Sequence, residues 1–192
     1  MKDEKKQERQ ERILIEALKL FTAKGYFNTS VSDIQTASNL SVGTLYNYFE
    51  NKEAIAITLF SNIENCLYEA LCEIEKKQVS AYDRCKAIIR HLYNSTERNA
   101  AGMQYLFYTK HREFMEVEKS VFTSLPFMKI REIVLKGQND GEIRRIDPVV
   151  AMVALFGGPI RMIYLRIDGL LKKPLPHYLE ESWECAWRSV KS

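Results

Sequence analysis

The chain has 192 residues, 46% of them hydrophobic and 28% charged, which is enough for one domain or two small ones around a hydrophobic core. The net charge of +3 and the pI of about 8.6 exclude a uniformly basic nucleic-acid-binding surface, so any contact with DNA must be local. With 8 glycines and 5 prolines the chain has fewer turn residues than a barrel or sandwich of short strands needs, which predicts helices joined by short links.

The first predicted helix covers about residues 5–24, where apolar residues recur at helical spacing, and Gly25 ends it. A second, short helix is predicted at residues 31–38. Ser30 precedes it as the N-cap, and Asp33 stands three positions on as a capping-box partner. Ile34 and Ala37 are expected to face the core.

Asn39 closes the second helix, since asparagine tolerates the positive φ that a glycine usually supplies there. Ser41 then caps a third helix, predicted at residues 42–49, in which Leu45 and Phe49 are spaced to face the core. Asn51 caps a long fourth helix, which is predicted to reach Lys77.

The rest of the chain predicts five more helices and no strand. They cover about residues 81–98, 102–109, 117–136, 148–171 and 176–190. The predicted fold class is therefore all-α, with about nine helices. Four cysteines occur without a C-x-x-C pair or a histidine at metal-ligand spacing, so we predict reduced thiols, no metal and no cofactor.

The second and third helices with the tight turn between them form a helix-turn-helix, in which the second member enters the major groove of DNA. Small residues at its start let the backbone approach base edges, and the Thr44 methyl can contact a thymine methyl. The hydroxyls of Tyr46 and Tyr48 and the ammonium of Lys52 can reach phosphates. Each feature alone is more often structural: tyrosines pack, Gly43 permits close helix contact, and a lysine is solvated.

The ordered string from Ile13 to about Phe60 resembles the N-terminal domain of the TetR family, the tetracycline-repressor-like bacterial regulators. It departs from the family pattern at Gln35, where alanine is common, and at Asn39, where glycine is common. Gln35 could bond to the DNA backbone or simply be exposed. The residues that match are Gly25, Thr29, Asp33, Ile34, Ser41, Gly43, Thr44, Leu45, Tyr46, Tyr48, Phe49, Lys52 and Glu53.

The resemblance implies a DNA-binding domain at residues 1–50 and a larger helical effector-binding and dimerisation domain at residues 51–192. It implies a homodimer that binds a palindromic operator and usually represses. The DNA-binding residues implied by position, with the outward-facing Asn47, are Val31, Ser32, Val42, Gly43, Thr44, Tyr46, Asn47, Tyr48 and Lys52. With few polar base readers among them, we expect part of the specificity to come from DNA shape.

Helices at about residues 148–171 and 176–190 would form the dimer interface by the same resemblance, the first apolar almost all round and the second carrying Trp183 and Trp187. A ligand cavity is also implied, with candidate residues Met103, Phe107, His111, Phe122, Arg161 and Tyr164. A buried Arg161 needs an anion, either an acidic ligand or a glutamate across the dimer, and we slightly favour the glutamate.

The sequence therefore predicts a DNA-binding regulator, most often a repressor released by a small molecule. The alternatives are a regulator without such an effector, or an activator. An enzyme is not predicted, because no Gly-rich phosphate loop, metal spacing or nucleophile–base arrangement occurs. No apolar segment follows the N-terminal charges, and the longest apolar run, residues 149–160, falls short of the roughly 20 residues of a membrane helix. We expect a cytoplasmic protein that does not contact the membrane.

Overall fold

The computed structural model describes residues 2–110, 114 and 124–192. Over these ranges the chain is helical and includes no strand beyond an isolated bridge between Ile143 and Lys191, which confirms the all-α prediction. The helices are α1 Lys2–Lys24, α2 Val31–Ser38, α3 Val42–Tyr46, α4 Lys52–Lys77, α5 Ala81–Arg98, α6 Ala100–Tyr108, α7 Leu125–Asn139, α8 Pro148–Ile167 and α9 Leu179–Arg188, with a 3₁₀ turn Leu175–Tyr178 before α9.

Helix α3 is shorter than predicted, ending at Tyr46 instead of Phe49. The amide of Tyr48 donates to the carbonyl of Leu45, three residues back, which tightens the last turn into 3₁₀ geometry. Both Leu45 and Phe49 are nevertheless buried, so the predicted inward face of this segment is confirmed. Helix α8 ends at Ile167 because Gly169, with φ of 72°, closes it earlier than expected.

The described residues form two compact units. The first, here called the N-terminal unit, consists of residues 2–63, 101–110 and 114. Its core contains side chains from α1, α2, α3 and the first half of α4, together with Tyr105 of α6 and Phe114. Tyr105 of α6 is fully buried there and donates its hydroxyl to the carbonyl of Ala56 at 3.0 Å. The sequence divides a DNA-binding domain from an effector-binding and dimerisation domain after residue 50, and this functional boundary stays a prediction.

The inward face of α2 differs from the prediction. Ile34 and Ser38 are fully buried, whereas Ala37 is exposed. Positions 34 and 38 are one helical turn apart and share a face, whereas position 37 lies to one side of it, about 60° from position 34 and about 100° from position 38. The Ser38 hydroxyl is satisfied by the carbonyl of Gln35 at 3.1 Å, which permits a polar residue at this buried position.

The second unit, here called the C-terminal unit, consists of residues 64–100 and 124–192. Glu142 caps α5 by accepting the amides of Ala81 and Tyr82 at 2.8 and 3.2 Å. Glu97 accepts two hydrogen bonds from Arg166, each 2.9 Å long, and so ties α5 to α8. Arg166 and the Leu175 amide, a third donor to Glu97, hold the pKa of the Glu97 carboxyl below its usual value.

Helix α8 is not buried on two sides within one chain. Val149, Val150 and Val153 are 45%, 56% and 65% exposed, while Leu155 and Ile163 on another face are buried. By length and composition this helix could cross a membrane, but it is weak evidence, since core helices of soluble proteins pass the same test. The expectation of a buried Arg161 is wrong for the single chain, because this residue lies on the exposed face.

Candidate DNA-binding interface

Helix α2 begins at the predicted capping box. The amide of Asp33 donates to the Ser30 hydroxyl at 3.0 Å, and the amide of Ser30 donates to the Asp33 carboxylate at 2.9 Å. Hydrogen bonding to this carboxylate from the Ser30 amide, and from the Ser30 side chain, lowers the pKa of the Asp33 carboxyl. The first turn of α2, which carries Val31 and Ser32, is therefore fixed by two reciprocal bonds.

The turn between α2 and α3 is closed at Asn39, whose φ of 52° and ψ of 45° are left-handed as predicted. The amide of Leu40 donates back to the carbonyl of Gln35 at 3.3 Å. The Gln35 side chain donates in turn to the carbonyl of Leu40 at 2.6 Å. Gln35, whose role the sequence left open, thus holds the turn that sets α3 against α2.

Helix α3 begins at Ser41, whose hydroxyl accepts the amide of Thr44 at 3.1 Å as predicted. The hydroxyls of Ser41 and Thr44 are also bonded to each other, 2.7 Å apart. The Thr44 hydroxyl is therefore already part of the cap. Its methyl group remains the part suited to contact a base.

The outer surface of α3 combines small and aromatic residues. Val42 and Tyr46 are 49% and 51% exposed, and Gly43 and Asn47 are exposed as well. Tyr48 is half-buried and packs against the core of the N-terminal unit. A Cβ added to Gly43 would meet no atom within 4 Å, so packing within the chain does not require a glycine there.

Lys52, expected at a phosphate, is engaged inside the unit. Its ammonium donates to the carbonyls of Tyr26 and Thr29, each at 2.8 Å, and lies 4.2 Å from the centroid of the Tyr26 ring. Partial burial lowers the pKa of this amine. Two of its three N–H donors thus hold the connector between α1 and α2. No local sequence pattern indicates this arrangement, because the acceptor residues are 23 and 26 positions away.

All nine residues predicted to contact DNA belong to the N-terminal unit. The candidate ligand residues are divided between the units: Met103 and Phe107 belong to the N-terminal unit, Arg161 and Tyr164 to the C-terminal unit. The Arg161 guanidinium lies 5.8 Å from the centroid of the Tyr164 ring, and partial burial raises the pKa of that phenol. His111 and Phe122 lie outside the described residues.

Two of the pockets formed by the described residues are open clefts, and Met103, Phe107, Arg161 and Tyr164 line neither of them. The first pocket has a volume of about 600 Å³ and lies along α7 beside Tyr68 of α4. The exposed side chains of Leu125 and Met128 line part of it. The other, of about 270 Å³, lies between the end of α1 and the end of α6. The predicted ligand set is thus not brought together at either pocket.

Residues 13–59 match the family model for bacterial regulatory proteins of the tetR family. The chain is 26% identical over 174 residues to YuxN, an uncharacterized helix-turn-helix regulator of Bacillus subtilis; the match covers 84% of this chain and spans about half of that relative, 55%. It is also 26% identical over 150 residues to the fatty acid metabolism regulator protein of B. subtilis, covering 76% of each.

Solved structures share the fold over nine tenths or more of this chain. A TetR family regulator from Marinobacter aquaeolei VT8 matches with a TM-score of 0.86 at 18% identity and covers 100% of both chains. The regulator FadR from B. subtilis, solved in complex with stearoyl-CoA, matches with a TM-score of 0.71 at 21% identity over 91% of this chain and 96% of that one. These similarities point to a TetR family transcriptional regulator: residues 13–59 match the family model directly, the curated relatives are transcriptional regulators, and the whole chain shares its fold with solved TetR family structures.

Proposed function

We propose that this protein is a cytoplasmic, sequence-specific transcriptional repressor that binds a palindromic operator as a homodimer. The observation that carries the proposal is α3, held by the Asn39 turn and the Ser41 cap with Val42, Gly43 and Tyr46 exposed. A short, rigid helix with small residues at its start can approach base edges in the major groove. The Tyr46 hydroxyl is available at the same surface for a phosphate.

Dimerisation is proposed through the exposed face of α8. We define the apolar stripe as Val149, Val153 and Gly157, which recur every four residues and are all exposed, as is Arg161 at the next step. Side-chain ridges with this spacing interdigitate when two helices cross. A contiguous exposed apolar surface favours association, because a second copy would remove it from water. Two copies joined here would present two recognition helices to the two halves of a palindrome.

Arg161 is proposed to pair with a glutamate of the second copy. In the single chain it is exposed, and Glu180, Glu181 and Glu184 of α9 are exposed as well. Opposite charges at the rim of an interface favour the correct register of association more than they add affinity. Trp183 is buried by its own chain, 1% exposed, and packs on Tyr82 and Trp187, so it contributes to the core of the C-terminal unit.

A fatty acyl thioester is proposed as the ligand that releases the operator. Two comparisons support this class: the match to the fatty acid metabolism regulator of B. subtilis over three quarters of its length, and the match to the structure of B. subtilis FadR solved with stearoyl-CoA. The ligand can weaken DNA binding only by binding more tightly to a state in which the recognition helices are wrongly spaced. Helix α4 contributes residues to both units and is the proposed lever.

A regulator without a small-molecule effector is the second candidate. The observation that favours it is that the two pockets described are open, and the candidate ligand residues Met103, Phe107, Arg161 and Tyr164 line neither. Such a protein would respond to a protein partner or to its own concentration. The two candidates share the DNA-binding surface and differ only in the response to the ligand.

The experiment that tests the proposal is selection of bound sites from random duplex DNA at fixed salt, with the mass of the complex recorded. Enrichment of an inverted repeat bound by a whole number of dimers is expected. Stearoyl-CoA added to that complex should then release the DNA, whereas a regulator without an effector would stay bound. If no sequence is enriched and binding is weak and salt-sensitive at all sites, the proposed function is wrong.

A further inference from the structure

The helix-turn-helix segment carries few positive charges. Between Ile13 and Phe60 the chain has three cationic residues, Lys19, Lys24 and Lys52, and four acidic ones, which gives 3 − 4 = −1. Binding to DNA depends strongly on cations that neutralise phosphates and release counterions. A segment with a net charge of −1 offers few cations to neutralise phosphates.

Those three cations are also engaged within the unit. Lys19 pairs with Glu16 at 2.7 Å, and Lys24 lies 3.7 Å from the Asp33 carboxylate. Lys52 donates to two carbonyls, as described above. Phosphate contacts must therefore draw much of their charge from outside residues 13–60.

Helix α1 begins well before its core-facing part. It starts at Lys2, and its first buried residue is Ile13, so about three turns precede the core. Within these turns Lys5, Arg9 and Arg12 follow one another at helical spacing and are exposed, with Lys6 exposed beside them. We call these four residues the basic stripe. In the described part of the chain none of the four forms an ion pair or a side-chain hydrogen bond.

Three of the four acidic residues in the same turns lie on a separate line. Glu4, Glu8 and Glu11 have the same spacing as Lys5, Arg9 and Arg12 but precede them by one residue, about 100° around the helix. The positive and negative charges of these turns are thus segregated. A polyanion on one side of the helix would meet the basic stripe before the acidic line.

We propose that the basic stripe binds the phosphate backbone of DNA that flanks the bases read by α3. The proposal rests on the proposed docking of α3. Ile13 and Leu14, which directly follow the stripe, belong to the same core as Leu45 of α3, so the stripe extends directly from the helix-turn-helix. A lipid surface is a poor partner, because residues 2–12 contain no apolar side chain to enter it.

The test compares two multiple variants in the full chain. The basic variant carries Lys5→Gln, Lys6→Gln, Arg9→Gln and Arg12→Gln, and the control carries Glu4→Gln, Glu8→Gln and Glu11→Gln. Glutamine has nearly the helix propensity of the residues it replaces, so α1 should persist in both, which circular dichroism checks. The dissociation constant is measured against salt concentration, on the selected operator and on a random duplex.

The basic variant should lower the slope of log affinity against log salt by about 2–4, at roughly 0.9 for each phosphate that is no longer neutralised. It should keep the preferred sequence, because the bases are read by α3. The wild type, but not the basic variant, should lose affinity when the operator is trimmed of its flanking base pairs. The control should keep the wild-type slope.

An unchanged slope in the basic variant would overturn the proposal, as would an equal loss in the acidic control. Binding of the wild-type protein to an acidic protein through these residues, with the DNA slope unchanged, would overturn it as well. The experiment distinguishes failure of the proposed operator binding from failure of the proposed phosphate contact by the basic stripe. If the wild type enriches no sequence, the proposed operator binding is wrong, while the slope on the random duplex still decides whether the stripe binds phosphates.

Discussion

The ammonium of Lys52 donates to the carbonyl of Tyr26 and lies 4.2 Å from the centroid of the ring of that same residue. One side chain thus fixes both the backbone and the aromatic group of Tyr26. That ring in turn packs on Phe21 and Phe114, at centroid distances of 5.5 and 4.9 Å. A lysine that the sequence assigned to DNA is also a structural brace of the helix-turn-helix.

Substituting Lys52→Ala should lower the free energy of unfolding by about 1–3 kcal/mol, because two carbonyls lose a charged donor. The measurement is chemical denaturation, followed by a signal from the N-terminal unit. Lys19→Ala is the matched control, since Lys19 pairs only with Glu16 on the helix surface; it should change stability by no more than about 0.5 kcal/mol. A Lys52→Ala variant of full stability, with a salt slope reduced by about one, would show that the ammonium serves phosphate instead.

Two substitutions at Thr44 separate its methyl from its hydroxyl. Thr44→Val keeps a methyl at the base-facing position and should preserve the preferred operator, although it removes the hydroxyl bonded to Ser41. Thr44→Ala removes both and should relax discrimination at one base pair, by about 1–3 kcal/mol if the methyl contacts thymine. Site selection with each variant is the measurement. Equal preferences in Thr44→Ala and the wild type would exclude this contact.

At the turn, Asn39→Gly should be neutral or slightly stabilising, and Asn39→Ala should cost about 1 kcal/mol, because φ at this position is 52°. Thermal unfolding of the two variants beside the wild type measures the difference. Helix α3 depends on this turn for its placement, so Asn39→Ala should also weaken DNA binding at temperatures where the chain is still folded. The reverse order of stability would contradict the left-handed turn.

Val153→Lys should convert the proposed dimer to a monomer, because a charge would replace the middle of the apolar stripe on α8. Sedimentation equilibrium gives the mass directly. Val79→Lys is the control: this valine is 89% exposed, in the link between α4 and α5, and its substitution should leave the mass unchanged. An undiminished mass in Val153→Lys would move the interface elsewhere.

Local chemistry explains what the sequence could predict. Ser30, Ser41 and Asn39 act on amides and carbonyls within a few residues, so their caps and turn follow from spacing alone. The apolar period of α1 likewise identifies its buried face, which carries Ile13, Ala17 and Phe21.

Within the described residues most helices therefore lie near their predicted places, with errors at the ends of α3 and α8 that a 3₁₀ turn and Gly169 decide. The helix predicted at 117–136 is the exception: α7 runs Leu125–Asn139, because Ser124 caps it and its amides continue past Lys136.

What the sequence could not predict depends on contacts between distant residues. Lys52 finds its acceptors more than 20 positions away, and the burial of Arg161 was inferred from an apolar run without knowing which face its own chain covers. Gln35 contacts a residue closer in sequence. Its hydrogen bond to the Leu40 carbonyl spans five residues, but it forms only because Asn39 between them is left-handed. Each of these roles requires the three-dimensional neighbours.

The burial of Tyr105 against Ala56 has a consequence for the order of events during translation. The N-terminal unit includes residues 101–110 and 114, so its core lacks the buried ring of Tyr105 until that part of the chain has left the ribosome. Residues of the C-terminal unit, 64–100, are synthesised in between. A nascent chain stalled near residue 70 would thus carry the whole recognition helix, yet the core that supports it would still be open on one side.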